Sequence, residues 1–276
     1  MAYKNFIPAV WAEGINRDIE KALVNAEDCN RQYEGDVKKQ GDTVRILGVG
    51  KPTITTTTDK KIVLNDAEDV DDTSVTMAIN HISYFNYKVD DIDKRQAKGG
   101  IMEALQSEAT YGCADEMDQL IANLAKEREA IKYASSAVQI TAANVLPEID
   151  KALQKLYENN VRPNGKIVIT LCPWVYTLFR QAYTAKDTDN SKALANGQVA
   201  KYGNAIIKMS NNVAKDSSGN SLIMVRTDKA IAFANPMTHV EPYRPEKGFA
   251  DAVKGFVLYD AKIVRPKELI VMNVKA

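Results

Sequence analysis

The sequence predicts an α+β protein that works as an oligomer, and three observations carry that prediction. Residues from Val37 to His81 are rich in Thr, Val and Ile yet poor in bulky apolar side chains, so this β-rich excursion needs a partner surface. One long helical pattern then runs from Ile101 to Arg128. A compact α/β unit follows over residues 136–235, and the tail returns to strands.

Each element has its own signal. Residues 1–38 read as an extended lead-in and one helix, because Ile15, Ile19, Ala22, Leu23 and Ala26 recur at helical spacing behind Asn16 and Asp18. "TVRIL", "TITTTT", "KIVL" and "SVTMAI" are the short strands of the excursion. Gly48, Gly50, Pro52 and the acidic run "NDAEDVDD" separate them. Ser83 to Val89 alternates aromatic and polar residues, as a strand with one covered face does. In the long helix, Ile101, Leu105, Ala109, Cys113, Met117, Leu120 and Leu124 form one stripe, with Leu105, Met117 and Leu120 as its core residues. Glu103, Ser107, Glu108, Asp115 and Lys126 take the opposite face. At 1.5 Å per residue the helix spans roughly 40 Å, long for a domain of this size.

In the α/β unit a helix from about Ala143 to Asn159 stops at the turn "RPNG", and the strand "KIVITL" follows. Pro173 suits the first turn of the next helix. A polar loop leads to the strand "AIIKMSNN", and the turn "AKDSSGNS" precedes a paired run, "LIMVRTDKAIAFA". "GFVLYDAKIV" and "LIVMNV", broken at Pro266, complete the chain.

Composition narrows the function. Apolar residues make up 45% of the 276, enough for a sizeable core. Lys+Arg and Asp+Glu both number 36, which argues against a regulator that lives on nucleic-acid phosphates and favours association. Cys29, Cys113 and Cys172 are far apart and odd in number, without zinc or redox spacing, so core thiols in a reducing cytoplasm are expected. The start, "MAYKNFIPAVWAEG", has no signal-peptide run. "IVITLCPWVYTLF" is broken by Pro173 and shorter than the ~20 residues of a spanning helix, so no membrane partner is expected.

The candidate chemistry is sparse. Asp90, Asp91 and Asp93 cluster where the strand hands over to the helix. Clustered carboxylates hold Mg²⁺ or share a proton, but Asp at such a junction more simply caps free N–H groups and suits the positive helix end. "NDAEDVDD" lacks the Gly and Glu positions of a calcium loop and reads as a solvated tip. "GVGKPT" lacks phosphate-loop spacing. His81 and His239 have no ligand-spaced neighbours, and there is no G-x-S-x-G elbow. No enzyme activity and no cofactor are expected.

The ordered strings carry more. "FIPAVWAEGINRDIEKALV", "NRQYEGDVKKQGDTVRI", "YFNYKVDDIDKRQAK" with "MEALQSEATYGCADEMDQLIANL", "LANGQVAKYGNAIIKMSNNV" and "VEPYRPEKGFADAVKGFVLYDAKIVRPKEL" together resemble the major capsid (coat) proteins of tailed bacteriophages. The resemblance implies the Hong Kong 97-like fold: an N-terminal arm (1–38), an extended β E-loop (39–82), a peripheral P-domain with the spine helix (83–135 and 236–276) and an axial α/β A-domain (136–235). It implies subunit contacts through E-loop residues such as Thr55, Thr57, Lys60, Asp66 and Asp69, with Asp90, Asp91 and Asp93 orienting the approach to the spine. It further implies hexamers and pentamers in an icosahedral shell around double-stranded DNA, held without sequence-specific binding, in a virion assembled in the bacterial cytoplasm. Because the arm lies within a few residues of Met1, a separate scaffolding protein is expected, together with a portal. An encapsulin-type nanocompartment shares the fold, and a metal-dependent hydrolase using the Asp90 cluster is the reading from another class.

Overall fold

The computed structural model describes residues 23–33, 43–49, 53–54, 56, 72–90, 101–162, 165–184, 201–246 and 250–276. In chain order these form β1 (Thr43–Val49), β2 (Asp72–Ala78), β3 (His81–Asp90), α1 (Ile101–Asn123), β4 (Ile131–Lys132) and β5 (Val138–Gln139). Then come α2 (Val145–Glu158), β6 (Ile167–Leu171), α3 (Pro173–Thr184), β7 (Lys201–Tyr202), β8 (Ala205–Met209) and β9 (Ser221–Thr227). The last three strands are β10 (Ile231–Tyr243), β11 (Ala250–Ile263) and β12 (Leu269–Lys275). Half of "TITTTT" and all of "KIVL" fall outside the described residues, as do residues 91–100.

Three sheets result. β1 and β2 pair antiparallel from Thr43↔Ala78 to Val49↔Asp72. β10, β11 and β3 form an antiparallel sheet with β11 in the middle. The third sheet is mixed and seven-stranded, ordered β4-β12-β9-β6-β8-β7, with β5 also on β12. Thus β9 and β10 do not pair as a hairpin. β9 already has β12 and β6 as neighbours, so the turn between β9 and β10 carries the chain from one sheet to the next.

Side-chain alternation then sets the layers. In β9 and β12, Ile223, Val225, Ile270 and Met272 face a core closed by α2 and α3, through Ile149, Leu156, Val175 and Phe179. The alternate residues Leu222, Met224, Leu269 and Val271 face a second core with α1. That core continues onto the three-stranded sheet, where Val253, Val257 and Tyr259 meet Cys113, Met117 and Ile121. Gly255 sits on this face because the Phe85 ring crosses it: a Cβ there would lie 2.5 Å from Phe85 Cζ and 2.9 Å from the His239 carbonyl. On the other side of the β10–β11 layer, Ala232, Ala234 and Leu258 seat the β1–β2 ladder through Val44, Ile46, Met77 and Ile79. α1 and the β1–β2 ladder therefore lie on opposite faces of one layer.

The long helix ends earlier than expected, at Asn123, and a 3-10 turn (Leu124–Lys126) finishes it. Its buried face is also rotated. Met117 is fully buried, but Leu105, Ala109 and Leu120 are only partly so, while Thr110, Ala114, Asp118 and Ala122 are buried. Residues 23–29 cover that flank.

Candidate assembly surfaces

Residues 23–33 cross the junction of the sheets as a strap. Of the helix expected from Ile15, Ile19, Ala22, Leu23 and Ala26, only Leu23 and Ala26 are described, and a 3-10 turn, Ala26–Asp28, forms there; Ile15, Ile19 and Ala22 lie outside the described residues. The strap's amides are taken elsewhere. Asp118 Oδ2 accepts from Val24 N–H at 2.8 Å, and its Oδ1 accepts from Asn25 and Ala26 at 3.0 and 3.2 Å. A carboxylate on α1 thus does for the strap what an N-cap does within one helix. Burial raises the pKa of Asp118, and these three bonds only partly pull it back.

The seat is unusually polar for so buried a place. Arg226, fully buried on β9, donates to the carbonyl of Asn25 at 2.7 Å and to that of Asp28. Thr170 on β6 donates to Asn25 Oδ1 at 3.2 Å. The Asp28 carboxylate lies 2.6 Å from Lys166 and 2.7 Å from Lys208, and Lys208 also meets Glu27 at 2.5 Å. Burial alone would raise the pKa of Asp28, but the two lysines outweigh it and hold the carboxyl below its ordinary value. The strap then joins β10: Asn30 N–H donates to Ile231 at 2.8 Å, and Phe233 N–H donates back to Asn30 at 3.0 Å. One segment is fastened to α1, to the large sheet and to the three-stranded sheet.

Sequence reasoning missed this seat, although a signal existed. Asp118 falls between Met117 and Ile121 on the apolar side of a helix, and Arg226 interrupts "LIMVRT" in a strand buried throughout. A charge at a position whose periodicity demands burial marks a buried polar anchor.

The outer face of the three-stranded sheet has a different character. Ile82 and Tyr84 on β3 are exposed, Tyr84 at 82%, beside the part-buried Phe256 on β11. His239 packs on Phe256 with ring centroids 5.6 Å apart. The Lys254 ammonium lies 5.2 Å from the Tyr243 ring centroid and 3.1 Å from Glu241. Tyr243 OH donates to Asn86 Oδ1 at 3.0 Å. Among the described strands β3 pairs only with β11, so no described strand lies along the other edge of its ten residues. Such an edge beside an aromatic face is a surface for another chain.

His81 has a structural place. Its Nδ1 lies 3.0 Å from Asp260 Oδ2, which also accepts from Asn80 N–H at 3.1 Å, clasping the β2–β3 connection to β11. Asp90 is the last residue of β3, while Asp91 and Asp93 lie outside the described residues. So do Thr55, Thr57, Lys60, Asp66 and Asp69. The described residues contain no cluster of three or more His, Cys, Asp or Glu suited to a metal ion. Cys29, Cys113 and Cys172 are buried free thiols, and burial pushes those of Cys29 and Cys113 up. No described helix is long and apolar enough to cross a membrane.

Solved structures resemble the whole chain. A chain from Mycobacterium phage Che8 superimposes with a TM-score of 0.77 and 26% identity over 91% of each chain. The capsid of cyanophage P-SCSP1u matches with a TM-score of 0.69 and 14% identity, over 90% of this chain and 86% of that one. A virus-like particle from Pyrococcus furiosus matches with a TM-score of 0.61 and 11% identity, over 98% and 100%. No protein-family model and no curated relative matches the chain.

Proposed function

From a chain with the bacteriophage major capsid fold, we propose that the protein is the major capsid protein of a tailed double-stranded DNA phage. Hexamers and pentamers of it would tile an icosahedral shell around the genome, with a scaffolding protein and a portal as partners. The observation that carries this reading is the likeness to the Che8 phage chain over nine-tenths of both chains. The outer edge of β3, along which no described strand lies, and its aromatic face support it, since a shell subunit must offer surfaces that only neighbours complete. In this assignment residues 1–38 are the N-terminal arm, 39–82 the E-loop, 83–135 with 236–276 the peripheral domain around α1, and 136–235 the axial domain. The Thr55–Asp69 region makes subunit contacts, and Asp90, Asp91 and Asp93 orient the start of α1. Repetition is the mechanism: modest contacts, each made many times, sum to a closed container.

The Pyrococcus particle, matched over its full length, favours one second reading, a cellular nanocompartment. Electron microscopy of the purified protein, with and without a candidate scaffold, tests both. Icosahedral shells that hold nuclease-protected DNA in phage particles are expected. Shells filled with a cargo protein would select the second reading, and a chain that forms no shell under any condition would overturn both.

A further inference from the structure

A groove of about 510 Å³ lies where the 3-10 turn after α1 meets β12 and the loop before β9, and a second of about 300 Å³ adjoins it. Three elements bring lysines to it. Lys126 closes the turn after α1, Lys132 ends β4 and Lys215 stands in the loop before β9. Lys126 and Lys215 line both cavities, and Lys132 lines the larger. Among the described residues none of these three ammonium groups has an ion pair or hydrogen bond, nor do the Ser135 and Ser217 hydroxyls beside them. One carboxylate, that of Asp216, shares the wall, and donors already occupy it. Its Oδ1 accepts from the Ser218 and Asn220 N–H groups at 2.8 and 2.9 Å. Its Oδ2 accepts from the Asn273 and Asn220 side-chain amides, each at 2.9 Å. These bonds, that from Asn273 foremost, hold the carboxyl at about 2, so it stays ionised with its oxygens engaged.

The side chains left free in the groove are therefore three cations and two hydroxyls, and three lysines against one carboxylate leave a net charge of two positive. Unpaired like charges around one cleft repel each other, and an anion that enters it relieves the repulsion. A carboxylate offers two oxygens in one plane. A phosphate group offers three acceptor oxygens and up to about two negative charges, which suits lysines carried by three separate elements. Because Lys126 and Lys215 serve both cavities, the two form one track, and phosphates in series reach more of it than a single group does. We propose that the Lys126–Lys132–Lys215 groove binds linked phosphate groups, which join the end of α1 to the loop before β9. The site lies within one subunit, so it goes beyond the shell reading and does not depend on it. Two sources carry this chemistry, a free polyphosphate and the backbone of a nucleic acid.

The test uses the full chain at fixed ionic strength, with sodium tripolyphosphate as the probe and isothermal titration as the readout. Saturable binding is expected, roughly tenfold or more tighter than that of inorganic phosphate, together with a rise in melting temperature. Lys126→Gln with Lys215→Gln should weaken it roughly tenfold or more. Lys229→Gln with Lys267→Gln, exposed lysines outside the groove, should leave it unchanged. If the first pair of substitutions lowers the melting temperature of the ligand-free chain, Lys132→Gln alone takes its place, with a loss of roughly threefold expected. Competition then separates the sources. A single-stranded oligonucleotide that displaces the probe at a lower phosphate concentration assigns the groove to nucleic-acid backbone. A strand that displaces it only at a higher one, or not at all, assigns it to a free polyphosphate. Absence of saturable binding overturns the proposal, as does inorganic phosphate that binds as tightly as the probe. Binding that survives the groove substitutions, or that the distant pair weakens equally, overturns it as well.

Discussion

The large sheet and the three-stranded sheet answer the same problem differently. β9 and β12 are covered on both faces, by α2 and α3 on one and by α1 on the other, and the strap adds buried hydrogen bonds from Arg226 to its carbonyls. The three-stranded sheet is covered by α1 along its length on one face, while the other holds the ladder at one end and Tyr84, Ile82 and Phe256 beyond it. The first sheet finishes itself within the subunit. The second leaves Tyr84 and Ile82 exposed, a surface that the proposed shell would cover with a neighbour.

Substitutions break or sharpen this contrast in order of expected size. Arg226→Met should be the most damaging, about 2–6 kcal/mol by denaturant unfolding, because it leaves two buried strap carbonyls without their donor at about 1–3 kcal/mol each. A loss under ~1 kcal/mol would mean the strap is not held by this seat. Met117→Ala, in the core shared by both sheets, should cost about 2–5 kcal/mol, and Leu105→Ala less, since Leu105 is only part-buried.

Asp118→Asn should cost about 1–3 kcal/mol, because one acceptor facing the strap amides becomes a donor. It also changes the acid response. Asp28, whose pKa is lowered on folding, stabilises above its ordinary value and loses that contribution as pH falls toward its folded one. Asp118, whose pKa is raised on folding, works the other way: its contribution grows as pH falls between its folded and unfolded values. Removing Asp118 leaves Asp28 unopposed, so stability should decline more steeply on acidification in the variant. A parallel pH profile in calorimetry would refute that pairing of signs. The smallest stability effect belongs to Tyr84→Ser, within ~0.5 kcal/mol for so exposed a side chain. Its shell yield should nonetheless drop, and normal shells would remove the aromatic face from the list of contacts.

Much of this division was legible in the sequence. The alternation of Ser83 to Val89 correctly indicated a strand with one covered face, and the step from Cys113 to Met117 identified part of the helix stripe. The α2, β6 and α3 segments follow the turn at "RPNG" and Pro173 closely. Two things were not legible. Pairing of β9 with β12 and β6 in place of β10 depends on which neighbours are already present, a property of the sheet that no local pattern carries. The rotated helix face follows from a strap whose own pattern suggests a helix. Its amides find Asp118 more than ninety residues away in sequence, and local spacing cannot register such a competitor.

That separation bears on the order in which the chain folds. The strap's bonds to α1 close sequence gaps of 93 and 94 residues, and its bonds to Arg226 close gaps of 198 and 201. Such large loops are closed late, because the chain gives up entropy before the contacts reward it. Asp118, Thr170 and Arg226 come together only once the helix and the large sheet exist, so a subunit still in synthesis has nowhere to dock residues 24–28. The strap of residues 23–33, made before the helix and sheet that hold it, is then among the last segments to be fixed, and protection of the Asn25 and Ala26 amides from hydrogen exchange serves as a clock for a finished subunit.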